Sequence, residues 1–160
     1  MHHFTADRII SYTPKQMFDL VADIEKYPEF VPLCKEITVF SHEKKGRDLI
    51  LVSSMMIKYL GRQETFTTQV QMQEDQRIII VKHIKHLFNV LENHWHFEEI
   101  ANGGCIVHFS IKYELQNRFF DKVLNKIFER AFLSFAIAFE KRAHKIYASL
   151  PLEKKISRRD

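Results

Sequence analysis

The sequence predicts an α+β fold in which a curved antiparallel sheet of about seven strands wraps around one long C-terminal helix, with two short helices after strand one. Three observations carry this. Between Cys34 and Leu115 apolar residues recur with a period of two. From Asn117 to about Leu150 the chain has no Gly or Pro and keeps a helical period. The links between strands are short and hold all four glycines, Gly46, Gly61 and Gly103-Gly104, so neighbouring strands run antiparallel.

His3 to Ile10 reads as the first strand. Thr13-Pro14-Lys15-Gln16 then forms a capping box with Pro at the first helical position. Met17, Leu20, Val21 and Ile24 follow at helical spacing. The pattern stops at Tyr27-Pro28, because the residue before a proline is pushed out of the α region. A second short turn runs through Phe30 and ends at Pro32.

Six strands are expected from Cys34 to Leu115, marked by Ile37 and Val39, Leu49 and Leu51, Phe66 to Met72, Ile78 to Val81, Leu91 to Phe97, and Cys105 to Leu115. Trp95 and Phe97 alternate with His94, His96 and Glu98, and Val107 to Tyr113 alternates in the same way, so each strand has a wet and a dry face. The long helix covers the dry face. On a helical wheel Leu124, Phe128, Phe132, Phe135, Phe139 and Ile146 share one direction. At 1.5 Å per residue the helix would reach roughly 50 Å. This order of elements is that of a helix-grip fold; a flat sandwich with a solid core is the alternative.

A chain of 160 residues, 46% apolar and 28% charged, suits one core, with residues 1–150 as a single domain and 151–160 as a basic tail. Fourteen Phe against one Trp supply apolar area without polar demands, which fits either a core or a greasy cavity. Cys34 and Cys105 lack any metal-ligand or disulfide spacing, which points to a reduced, cytoplasmic setting. No apolar run approaches the ~20 residues of a membrane span, and no leader pattern precedes Phe4, so export and membrane integration are not expected.

Nine histidines invite a metal, yet none has an acidic or Cys partner at ligand spacing, and no metal site is expected. Phosphate loops, nucleophile elbows and paired catalytic carboxylates are absent from the pattern, so no catalytic residue is assigned. An enzyme would have to work through isolated polar side chains such as Asn93 and Tyr113, which otherwise bond locally within the core. His83 to Val90 breaks the alternation with apolar side chains; it either packs under the first helices or rims a cavity mouth. Leu133 and Ile137 fall on the polar face of the long helix, as a patch for a partner or membrane or as incidental exposure. Arg142 is a charge on the apolar side, snorkelling past a sheet edge or meeting a polar ligand head.

The run Val21-Ala22-Asp23-Ile24-Glu25-Lys26-Tyr27-Pro28-Glu29-Phe30-Val31-Pro32-Leu33-Cys34 resembles the signature of the coenzyme Q-binding START-domain family within the polyketide cyclase-like superfamily. Phe88-x-x-Leu91, Trp95-x-Phe97, Gly103-Gly104-Cys105-x-Val107-x-Phe109 and Tyr113-x-Leu115 follow in family order. Where the family usually has Gly-Pro before that Phe, this chain has His86-Leu87.

The resemblance implies a START-like protein that binds a polyprenyl quinone between sheet and helix and acts as a carrier or chaperone in respiration or quinone synthesis, without catalysis or cofactor. The residues expected against the quinone are Tyr27, Phe30, Val31, Pro32, Phe88, Leu91, Trp95, Phe109, Phe128, Phe132 and Phe135. From the residues themselves, Leu133, Ile137, Lys154, Lys155, Arg158 and Arg159 are expected to contact a partner or, transiently, the inner face of the cytoplasmic membrane. A bacterial branch is described as a ribosome association toxin, which makes the large ribosomal subunit the alternative partner. Oligomeric state is open.

Overall fold

A computed structural model describes residues 1–117 and 121–148. The chain runs β1 (His2–Ile10), α1 (Pro14–Ala22), a 3₁₀ segment (Ile24–Glu29), β2 (Cys34–Lys45), β3 (Asp48–Tyr59), β4 (Arg62–Gln73), β5 (Ile78–Lys85), β6 (Phe88–Glu99), β7 (Cys105–Leu115) and α2 (Asp121–Tyr147). The basic tail, with Lys154, Lys155, Arg158 and Arg159, lies outside the described residues.

The seven strands form one sheet in the order β1-β7-β6-β5-β4-β3-β2, every pair antiparallel. Consecutive strands from β2 to β7 are therefore neighbours, and β1 closes the far edge against β7. Register shifts at Cys34/Glu36, Val39/Ser41, Thr67/Thr68 and Phe88/Val90 bend the strands locally, and such bulges increase twist and let a sheet wrap a helix.

The Thr13 box forms as the sequence requires. Gln16 N donates to Thr13 Oγ1 at 3.1 Å and Thr13 N donates to the Gln16 side chain at 2.9 Å. Gly104 is where β7 begins against the end of β1. A Cβ there would come within 2.5 Å of the Ile10 carbonyl oxygen, so only glycine fits.

The described part of the long helix, Asp121–Tyr147, has 27 residues and spans about 40 Å; the residues that join it to the expected cap at Asn117 lie outside the described ones. One expectation is corrected. The segment His83 to Val90 is mostly strand: β5 continues to Lys85 and β6 starts at Phe88. Only His86 and Leu87 reverse the chain, both at positive φ, 74° and 67°. Glycine adopts such a conformation without strain; here two side-chain-bearing residues hold it.

α2 is tied to the rest by polar contacts near both ends. Near its start, the Tyr113 hydroxyl donates to Asn125 Oδ1. Near its end, Tyr147 donates to the Gln16 carbonyl at 2.8 Å, Tyr12 bonds His144 Nδ1 at 2.6 Å, and Arg8 pairs with Glu140. Between these anchors the Phe-rich face of α2 looks onto the concave side of the sheet.

A candidate ligand cavity between sheet and helix

The anchored ends and bulged sheet leave space under the middle of α2. The cavity has a volume of about 130 Å³. Its walls come from every layer: the 3₁₀ segment and the turn after it (Tyr27, Val31, Pro32), the sheet (Phe88, Leu91, Trp95, Phe109) and α2 (Phe128, Phe132, Phe135). These are ten of the eleven residues the sequence reading places against a ligand.

Phe30 is the exception. Its ring packs edge-on against Phe139 at 5.1 Å and Tyr27 at 6.0 Å, outside the cavity wall, and Arg142 lies over it at 5.0 Å. Arg142 thus neither snorkels past a sheet edge nor enters the cavity. It pairs with Glu29 at 3.3 Å and clasps the 3₁₀ segment to α2.

The lining also includes residues that sequence reasoning passed over: Met55 and Ile57 on β3, Ser53 and Thr68 on β3 and β4, Ile79 and Val81 on β5, and Phe139 on α2. The signal was present in Leu51-x-Ser53-x-Met55-x-Ile57, whose alternation marks one face, but Ser53 interrupts its apolar members.

Most polar atoms of the lining are already engaged. The Tyr27 hydroxyl donates to the Val21 carbonyl oxygen, and burial, with Cys34 and Asp23 adding, raises its pKa far above the usual phenol value. Trp95 Nε1 donates to Asn93 Oδ1 at 2.8 Å, while Asn93 Nδ2 donates to the Ser110 carbonyl at 2.9 Å. Asn93 and Tyr113 therefore both bond within the fold, as the local reading of each supposed.

The remaining chemistry-bearing groups are poor reagents. Burial pushes the Cys34 thiol up to about 11 and the Cys105 thiol up to about 12, so both stay protonated and weakly nucleophilic near neutral pH. His108 lies on the outer face of the sheet, bonded to Asp7 at 2.7 Å and Glu98 at 2.8 Å, with the His96 ring stacked on it at 5.6 Å. Those two carboxylates, Glu98 foremost, raise its pKa. Among the described residues no group of three or more His, Cys, Asp or Glu side chains could hold a metal ion. No helix among them is long and apolar enough to cross a membrane.

Leu133 and Ile137 project from the outer face of α2 and are 57% and 48% exposed. They lie away from the cavity, whose α2 wall is built by Phe128, Phe132, Phe135 and Phe139.

The arrangement has room for a largely apolar molecule. The family described as polyketide cyclase / dehydrase and lipid transport matches residues 10–140. Over 149 residues the chain is 29% identical to the ribosome association toxin RatA of Rickettsia prowazekii, covering 91% of this chain and 99% of that one. It is 25% identical over 147 residues to the mitochondrial coenzyme Q-binding protein COQ10 homolog B of Xenopus laevis, covering 90% of this chain and 59% of the longer relative. The solution structure of the 18 kDa protein CC1736 from Caulobacter crescentus matches with a TM-score of 0.78 at 27% identity, over 93% of this chain and 100% of the other.

Proposed function

Because the chain belongs to the polyketide cyclase / dehydrase and lipid transport family, we propose that it binds a polyprenyl quinone of the coenzyme Q type between sheet and α2, and carries it without converting it. The observation that carries this reading is the cavity itself: Phe, Trp and aliphatic walls, with the polar atoms of Tyr27, Asn93 and Trp95 turned to partners within the protein. Such walls favour an isoprenoid tail, since each CH₂-sized group removed from water contributes about 0.8 kcal/mol.

The chemistry of the thiols and of the buried phenol fits a carrier. Both thiols are protonated and the buried phenol is far from ionising, so these groups offer no ready acid, base or nucleophile at neutral pH. The quinone would load and leave at the inner face of the cytoplasmic membrane, with Leu133 and Ile137 and the basic residues Lys154, Lys155, Arg158 and Arg159 making transient contact with it.

The relatives named as ribosome association toxins cover nearly the whole chain and support a second reading, contact with the large ribosomal subunit. Salt separates the two. Contact neutralising several phosphates weakens steeply between about 50 and 200 mM salt, whereas burial of an apolar tail does not. In parallel assays of ribosome co-sedimentation and of coenzyme Q binding to the protein, the carrier reading expects binding that survives the higher salt. Salt-sensitive co-sedimentation without any quinone binding would overturn it in favour of the ribosome.

A further inference from the structure

Ser53 and Thr68 are Cα partners across β3 and β4, both line the cavity, and they are 4% and 7% exposed. Their neighbours on the same face are apolar: Leu51, Met55 and Ile57 on β3, and Phe66, Val70 and Met72 on β4. Among the described residues neither hydroxyl engages a hydrogen-bond partner, whereas Asn93 and Trp95, also in the lining, satisfy each other. Among the described residues no side-chain polar atom is both sealed from solvent and unpartnered, so each hydroxyl opens onto the cavity it lines, where water or a ligand meets it; Ala or Val would fill the same volume without that demand. Two adjacent hydroxyls can both donate to one oxygen, or each to one of two.

We propose that Ser53 and Thr68 form a polar shelf that recognises an oxygen acceptor on an otherwise apolar ligand, the carbonyl or ether oxygen of a ring or the hydroxyl of a chain. This rests on the reading of the cavity as an apolar-ligand site and deepens it. The shelf fixes which end of the ligand enters, because only an oxygen-bearing group satisfies both hydroxyls, while the Phe-lined remainder accepts any hydrocarbon chain. Selectivity then comes from two side chains on the sheet and affinity from the aromatic walls.

Trp95 is the chain's only tryptophan and lines the same cavity, so its fluorescence reports occupancy directly. Three probes are titrated: coenzyme Q with a two-isoprene tail, farnesol, and the oxygen-free hydrocarbon farnesene, the last by competition. The proteins are the wild type, Ser53→Ala, Thr68→Val, their double variant, and Thr68→Ser, which keeps the hydroxyl. The shelf predicts a loss of affinity of roughly three- to tenfold per hydroxyl removed for one or both oxygen-bearing probes, none for farnesene, and near-complete retention in Thr68→Ser. Whether quinone or farnesol suffers the loss identifies the oxygen. Equal losses for all three probes, or no loss for any, overturn the shelf while leaving the cavity reading intact. A wild type that binds none of the three overturns both.

Discussion

Arg142 on α2 pairs with Glu29 at 3.3 Å and stacks its guanidinium over the Phe30 ring, joining the terminal helix to the segment that carries Tyr27, Val31 and Pro32. Both joined elements are cavity walls, so the contact holds two walls together. Arg142 is 14% exposed and Glu29 52%, and solvent screening on the Glu29 side keeps the stabilisation at or below about 1 kcal/mol. Arg142→Ala is expected to leave the melting temperature nearly unchanged and to speed dissociation of short-tailed coenzyme Q, followed by stopped-flow Trp95 fluorescence. Unchanged dissociation would show that the walls part elsewhere.

The Trp95–Asn93 bond predicts a larger effect. Asn93→Leu leaves the indole N–H buried without its acceptor, at a cost of about 1–3 kcal/mol in unfolding free energy by denaturant titration. A Trp95→Phe, Asn93→Leu pair removes donor and acceptor together and is expected to recover part of that loss.

The tight turn between β3 and β4 has Leu60 and Gly61 at its centre, both at positive φ, with Leu60 at 45° and 75% exposed. A leucine is strained there, and Asn accepts the left-handed region more readily. Leu60→Asn is expected to stabilise the protein by about 0.5–1 kcal/mol, read from thermal unfolding. A decrease in stability would mean that Leu60 has a packing partner.

How far the architecture was readable before the structure depends on which forces act locally. The Thr13–Gln16 box, the strand alternation from Cys34 to Leu115 and the Phe face of α2 each follow from short-range rules, and all three form. The turn at His86-Leu87 escaped because neither residue is one that positive φ favours, so tertiary context imposes it. From sequence alone Phe30 groups with Tyr27 and Val31, because it sits in the same run. Its ring instead turns to Phe139 and Arg142, which lie more than a hundred residues away. Ser53 and Thr68 were invisible as site residues because a small polar residue in an alternating strand looks the same from sequence whether it faces water or a cavity.

His108 supplies a pH dependence. Its pKa is raised in the folded protein by Glu98 and Asp7, so its stabilising contribution is complete below the unfolded value of about 6.5 and is lost as pH rises through the higher folded value. Because the ring is about one-third exposed, the effect is expected to stay below about 1 kcal/mol. Wild type should lose slightly more stability than His108→Gln on going from pH 6 upward, measured by urea unfolding. Parallel curves for the two proteins would exclude the contribution.

The most direct measurement is organic extraction of gently purified protein followed by mass spectrometry, with a Phe132→Arg, Phe135→Arg variant as control and circular dichroism to verify that both are folded. Burying two guanidinium groups in the cavity wall should abolish apolar occupancy. A prenyl quinone near one per chain is expected in the wild type and none in the variant. A well-folded wild type that yields no prenyl quinone would contradict the carrier reading.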